Sequence, residues 1–402
     1  MPPTVTEEEP VMDERAFPRD VVPLLAGAMA IFVITVVLGI LNGTDLVHLP
    51  HGVLLAHVHS GTLGWITLSI FAAAAWIFGA TSMPRLLRDG SVAAVALYVA
   101  AFWADIGSLR PVAGSLMLAA IVWFAVWVFR TRAGRAPTIP RLSMLLASVN
   151  LTIGGILGVL LGLMLAGAID LPEGFAGAHP AMMVVGYLIL AGVALDEQLL
   201  VGDEPVSQRA GTWQAWLFFV AGISLALGIL LEIQPLLGLN LLGEIVGVVL
   251  VLVRLRSRIG GAGWTIASAA RHGATSILWL IPALALLAYL IVRYIDDVEA
   301  APRGLFLALD HSTFVGVLTN GILGLLLVAN AARRAVWSWA DQLVFWGMNI
   351  GLAIFVVGLI ADVAEIKRIG TPIMGASILL GLLTAAVRLG SREQAISGPP
   401  PM

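Results

Sequence analysis

The stretch LLAHVHSGTLGWITLSIFAAAAWIFGAT (54–81) contains no Asp, Glu, Lys or Arg. At about 1.5 Å of rise per helical residue it is long enough to cross a hydrocarbon layer about 30 Å thick. A backbone in lipid has to satisfy its own N–H and C=O groups, so the stretch reads as a transmembrane helix that carries two imidazoles, His57 and His59. A second stretch, GFAGAHPAMMVVGYLILAGVALDEQLLV (174–201), repeats its opening. Ala56-His57 is followed by Gly64-Trp65, and Ala178-His179 by Gly186-Tyr187 at the same spacing. A looser echo, Asp310-His311 with Gly316 after it, opens a third apolar stretch at 303–331.

Working outward, apolar runs of this length fill almost the whole chain. Their limits are 21–42, 54–81, 91–108, 112–131, 143–168, 174–201, 212–232, 237–257, 270–294, 303–331, 342–366 and 370–389, twelve spans in all. The composition agrees: 59% of the 402 residues are hydrophobic and 12% charged, with mean hydropathy +0.97. A soluble domain carries about 25% charged residues. A soluble enzyme, a nucleic-acid reader and a receptor with a large ectodomain are excluded. The predicted fold is all-α, one polytopic domain over 21–389 between tails at 1–20 and 390–402. His residues open spans two, six and ten, and four spans separate each from the next, which implies three four-helix units about a pseudo-threefold axis.

Basic residues near span ends resist translocation. With the N-terminus inside, 17 of the 22 basic residues fall on the inner side, and Arg110, Arg293, Arg303, Lys367 and Arg368 are left outside. Both termini are therefore expected in the cytoplasm, in the cytoplasmic (inner) membrane. The first 20 residues are acidic and lack the basic-then-apolar pattern of a cleavable signal, so they read as a disordered tail. The longest connections, near 130–142 and 257–270, hold Arg, Gly and Pro and read as surface loops.

This orientation gathers chemistry at the outer side. His57, His59, His179 and His311 share one depth, and His48 and His51 lie in the loop before span two. Only His272, beside Arg271, is at the cytoplasmic side. The chain has no Cys, so thiolate ligands, iron–sulfur clusters and disulfides are excluded. Imidazoles without Cys suit haem iron, copper or non-haem iron, and ionisable groups inside a membrane mark function by default. His57 and His59 project about 200° apart on a regular helix and so face different surroundings; either is a candidate ligand. Of the acids near the outer side, Asp105, Glu244, Asp310, Asp362 and Glu365, Glu244 in LNLLGEIVGVVL has the strongest claim to lie within the membrane. It is a candidate proton carrier, metal ligand or hydrogen-bond partner for a His. Arg110, Arg303 and Arg368 are placed to meet haem propionates.

Twelve spans with His at spans two, six and ten resemble subunit I of the haem-copper oxidase superfamily. The segment HVHSGTLGWITLSIF is similar to the His-x-His segment of the NnrS family, membrane proteins that bind haem and copper and are linked to nitric oxide metabolism. The resemblance implies a haem of b type held by His311 and either His57 or His59, with Arg303 near its propionates. It implies a second metal, copper or non-haem iron, at His179, for which His48, His51, whichever of His57 and His59 faces away from the haem, and Glu244 are the remaining donors. Span seven, TWQAWLFFVAGISLALGILLE, lacks the oxidases' His pair, and span ten has one His where they have two. The function so implied is a His-ligated redox or gas-binding centre, in nitric oxide metabolism or respiratory electron transfer. Its partners would be a diatomic gas and a quinol or cytochrome donor, in the lipid bilayer and without nucleic acid; as an enzyme it would be an oxidoreductase. The competing class is a proton-coupled small-molecule transporter that uses the same His and acid groups.

Overall fold

The computed structural model describes residues 16–294, 297, 300–333 and 336–391, and these contain helices and no strand. Among them are twelve helices long and apolar enough to cross a membrane: α1 Arg19–Gly43, α2 His51–Ile77, α3 Arg85–Trp103, α4 Leu109–Thr131, α5 Ile139–Leu165, α6 Phe175–Val201, α7 Gln208–Leu230, α8 Gln234–Gly260, α9 Ala269–Tyr294, α10 Arg303–Ala329, α11 Ser338–Ile360 and α12 Ala364–Gly390. The chain is an integral membrane protein of the helical class. Most of the expected tails, together with Arg15, Arg334 and Arg392, lies outside the described residues.

Several helices begin three to six residues before the apolar runs do. α3 starts at Arg85 rather than 91, and α12 at Ala364 rather than 370. Hydropathy senses the hydrocarbon, whereas a helix continues through the interface, where a polar first turn such as Arg85-Leu-Leu-Arg-Asp loses nothing by being wet. Proline marks the starts. Pro23, Pro140 and Pro235 sit in the first turns of α1, α5 and α8, where their missing N–H is harmless.

The pseudo-threefold arrangement is visible in the packing. Within each unit the third and fourth helices form a hairpin: α3 with α4, α7 with α8, α11 with α12. The units join through α4 on α5, α8 on α9 and α12 back on α1, which closes a ring. α2, α6 and α10 fill its centre: 89%, 78% and 78% of their central stretches are buried, against 33–50% for the other nine. Turn chemistry repeats as well. Asp105, Glu232 and Asp362, at φ 53°, 55° and 54°, turn the chain between the two helices of each hairpin. Opposite each turn a glycine near the start of the central helix lets backbones touch. A Cβ on Gly52 or Gly174 would stand 2.7 Å from the carbonyl of Phe102 or Ile229, and one on Gly304 2.5 Å from that of Leu359.

All three central helices carry eight residues of π-helix, Ser60–Thr67, Met182–Ile189 and Ser312–Thr319. Such segments are rare and gather at functional sites. Starting them together pairs Gly64, Gly186 and Gly316 as expected, but it places His311 opposite His59 and Ala181, and Leu309 opposite His57 and His179. This corrects the register of the third repeat: His311 is the counterpart of His59.

At the end of the bundle away from these histidines, a buried polar cluster ties α6, α7 and α8. Arg254 donates to Glu197 at 2.7 and 3.1 Å and to the Gln214 side-chain oxygen at 2.6 Å. Nearby, Asp196 of α6 meets the Ser276 hydroxyl of α9.

Candidate functional site: two imidazole pairs and a third sector

The packing of α2, α6 and α10 creates three sectors around the axis, one at each boundary between adjacent central helices. At the α10–α2 boundary His57 and His311 lie within electrostatic reach of each other, and at the α2–α6 boundary so do His59 and His179. Of the alternatives His57 and His59, the neighbour of His311 is therefore His57.

Each imidazole is held by a backbone carbonyl on its Nδ1. His57 bonds to Thr35 O of α1 at 3.0 Å and His179 to Gly154 O of α5 at 3.0 Å. These two are exact counterparts, and each ring lies over a glycine of the same outer helix, with Cε1 3.2 and 2.7 Å from where a Cβ on Gly39 or Gly158 would stand. His59 and His311 reach back one turn of their own helix, to Leu55 O and Leu307 O, both at 2.8 Å. Their rings rest on aromatics of the neighbouring third helices. His59 stacks on Phe102 with centroids 4.2 Å apart and planes at 13°, and His311 meets Phe355 at 4.8 Å.

A carbonyl only accepts, so each Nδ1 carries the proton, and the lone pair of the neutral ring is on Nε2. Among the described residues no Nε2 of these four has a hydrogen-bond partner. A Nδ1–H bound to a carbonyl, with Nε2 left open, is how proteins orient an imidazole toward a metal.

Beneath the pairs the central helices bond to one another in rotation. Trp65 of α2 donates to Thr319 of α10 at 3.1 Å, and Tyr187 of α6 donates to Thr67 of α2 at 3.3 Å. The third such place holds Val317 and Ile189, which are apolar. The α6–α10 sector is likewise without imidazoles, having Ala181 and Leu309 in their positions. It contains instead a cavity lined by apolar side chains and by Glu244 of α8.

The other expected site residues are dispersed. His48 is exposed in the α1–α2 connection, and His51 is an exposed first residue of α2 rather than part of the loop. Glu244 is 1% exposed, as expected of an intramembrane acid, but it belongs to the third sector. No group of three or more His, Asp or Glu able to hold a metal ion exists among the described residues. The structure thus does not assemble His179, His48, His51 and Glu244 into one metal site; His179 lies within electrostatic reach of His59 instead. Arg303 is exposed at the histidine end and has no ion pair among the described residues. Arg110 sits over the Phe102 ring at 4.8 Å, paired with Asp105 and within reach of His59. Lys367 and Arg368 both hold Asp45, at 2.9 and 3.0 Å. Together the two cations keep that exposed carboxyl below the usual carboxylate range, with the Lys367 hydrogen bond contributing most. His272 is buried at the opposite end of the bundle beside Asn320 and Phe345.

Sequence reasoning did not find the π segments, which have no hydropathy signature. It offered whichever of His57 and His59 turns away from His311 as a companion of His179, without deciding which, because helical periodicity shows only that the two face different neighbours. No protein-family model and no curated protein matches this chain.

Proposed function

We propose that this protein is a membrane electron carrier with two haems of b type, one held by His57 and His311 and the other by His59 and His179. The observation that supports the reading is the set of four imidazoles, neighbours in two pairs, each anchored through Nδ1 to a carbonyl and open at Nε2 among the described residues. The donor set fits a haem and does not fit a bare cation. A haem would ask the protein for two imidazoles, which each pair could supply; a lone divalent metal would need three or four protein donors, and among the described residues no such group is found. Exposed Arg303 and the Arg110 guanidinium are placed to receive propionates at the histidine end.

When bound, a bis-imidazole haem supplies one-electron exchange without an open coordination position. Both pairs being complete favours electron transfer over reduction of a diatomic gas, which needs a vacant site. The donor class we infer is a quinol or a cytochrome on the histidine side. The distribution of basic residues supports an outer location for that side and cytoplasmic termini in the cytoplasmic membrane. The likeness to haem-copper oxidase subunit I and to the NnrS family fits this reading, within respiratory electron transfer or nitric oxide metabolism.

The test is an absorption spectrum with haem extraction on the purified protein. Two low-spin b haems per chain are expected, falling to one in His311→Ala and to the other one in His179→Ala. A folded, colourless protein, or a spectrum unchanged in both variants, refutes the reading.

A further inference from the structure

The third sector breaks the symmetry of the other two in a consistent direction. Where they have imidazoles it has Ala181 and Leu309, and where they have a hydroxyl-to-aromatic bond it has Ile189 and Val317. Into this apolar sector α8 inserts a carboxyl, Glu244, whose Oε1 has no partner. One turn earlier on α8, fully buried Asn240 gives its amide N–H to Ala221 O at 3.0 Å and leaves its own Oδ1 unpartnered. A buried acceptor left without a partner is costly, and a carboxyl so placed lowers that cost by holding a proton.

No charge faces Glu244. α6 presents Val185 and Ile189, α9 presents Leu280 and Leu287, and α10 presents Leu309 and Thr313. The Thr313 hydroxyl donates to Leu309 O at 3.0 Å, Asp310 is not part of the wall, and no basic or imidazole group lines it. An isolated carboxylate here costs several kcal/mol, so the acid holds its proton unless a positive charge arises close by. The wall residues Leu309 and Thr313 flank His311 by two residues on either side. The cavity and the His57–His311 pair thus lie against two faces of one turn of α10.

We propose that Glu244 is a proton-binding residue coupled to the His57–His311 centre: it takes up one proton when that centre takes up one electron, and releases it on reoxidation. This rests on the two-haem reading above. In the balance, a quinol supplies the electron, the proton comes from water at the histidine end, an O–H bond forms on Glu244, and no bond breaks in the protein. An ionised Glu244 would balance the positive charge of the oxidised centre, and on reduction the proton takes over that role, so no uncompensated charge is left inside hydrocarbon.

The experiment is a redox titration of the full-length protein across a pH series, with reduced-minus-oxidised infrared spectra, on the unmodified protein, Glu244→Gln, Glu244→Asp and Asp310→Asn. The expected result is that one of two haems has a midpoint that falls with rising pH and that a protonated-carboxyl C=O band appears on reduction. Both should be lost in Glu244→Gln and retained in Glu244→Asp and Asp310→Asn. If both haems are present and Glu244→Gln keeps the pH dependence, or Asp310→Asn abolishes it, the proton assignment is overturned while the two-haem reading stands. If no haem is present, both fall. Should Glu244→Gln not fold, a pH-independent midpoint in the unmodified protein, or no carboxyl band in its spectrum, overturns the assignment by itself.

Discussion

Gly158→Ala should unseat His179 while leaving the other histidine pair in place. A methyl on Gly158 would stand 2.7 Å from Cε1, 3.0 Å from Nδ1 and 3.4 Å from Nε2 of the ring, so the whole imidazole face is in the way. Carbon atoms settle at about 3.5–4.0 Å, so the ring must retreat by about 1 Å. The carbonyl that anchors it belongs to Gly154 on the same helix, at 3.0 Å, and a retreat from α5 stretches that bond beyond useful length. Overpacking of this kind costs about 1–3 kcal/mol and the lost hydrogen bond about 1 kcal/mol more. At about 1.4 kcal/mol per tenfold, affinity at the His59–His179 site should fall roughly 30-fold to several hundredfold. Gly39→Ala is the internal control. Its methyl would stand 3.2 Å from His57 Cε1 with the next ring atom at 4.0 Å, so a small tilt relieves it. Haem titration into the apo-protein, followed by low-spin absorbance and by the number of resolved low-spin signals, measures both sites. Equal weakening by the two substitutions, or full haem content in Gly158→Ala at limiting haem, would refute the reasoning.

Other outcomes follow from the same geometry. Arg254→Met leaves Glu197, which is 2% exposed, with no cation; a loss of about 3–5 kcal/mol is expected in thermal or denaturant unfolding, most of it recovered in the double variant with Glu197→Gln. Trp65→Phe keeps the stack on Phe32 but removes the donor to Thr319, for a loss of about 1 kcal/mol by the same assay. Asp45 has its folded-state pKa depressed by Lys367 and Arg368; its contribution is present above the ordinary carboxylate value of 3.8 and is lost as pH falls through the depressed one. Since the group is over a third exposed, the effect is small and salt-sensitive. Comparing unfolding of the unmodified protein and Asp45→Asn from neutral to strongly acidic pH should show a difference that disappears at the acid end. Reporter fusions in the 132–138 connection should report a cytoplasmic location; an external one would invert the histidine side.

The helical class, the number of spans and the placing of four histidines toward one end of the central helices were legible in the chain because they are properties of single segments. A run such as 54–81 either is or is not apolar enough to replace water with hydrocarbon, whatever the rest of the molecule does. Helical periodicity alone also required His57 and His59 to face apart. The ends of the helices were less legible, since polar turns like Arg85–Asp89 are helical for reasons of hydrogen bonding that hydropathy does not register.

What each histidine faces was not legible, because it depends on contacts between residues more than a hundred positions apart. Aligned by sequence alone, His311 is a poor match to His57; only the three π segments set the register that pairs it with His59. The same packing separates Glu244 from His179, His48 and His51 and encloses it with Leu309 in the sector that has no imidazole. Hydrophobicity places a helix in the membrane. Which of its faces meets which neighbour is decided by close contacts, a glycine under an imidazole or a carbonyl against a glycine, that exist only once all three units have closed around the axis.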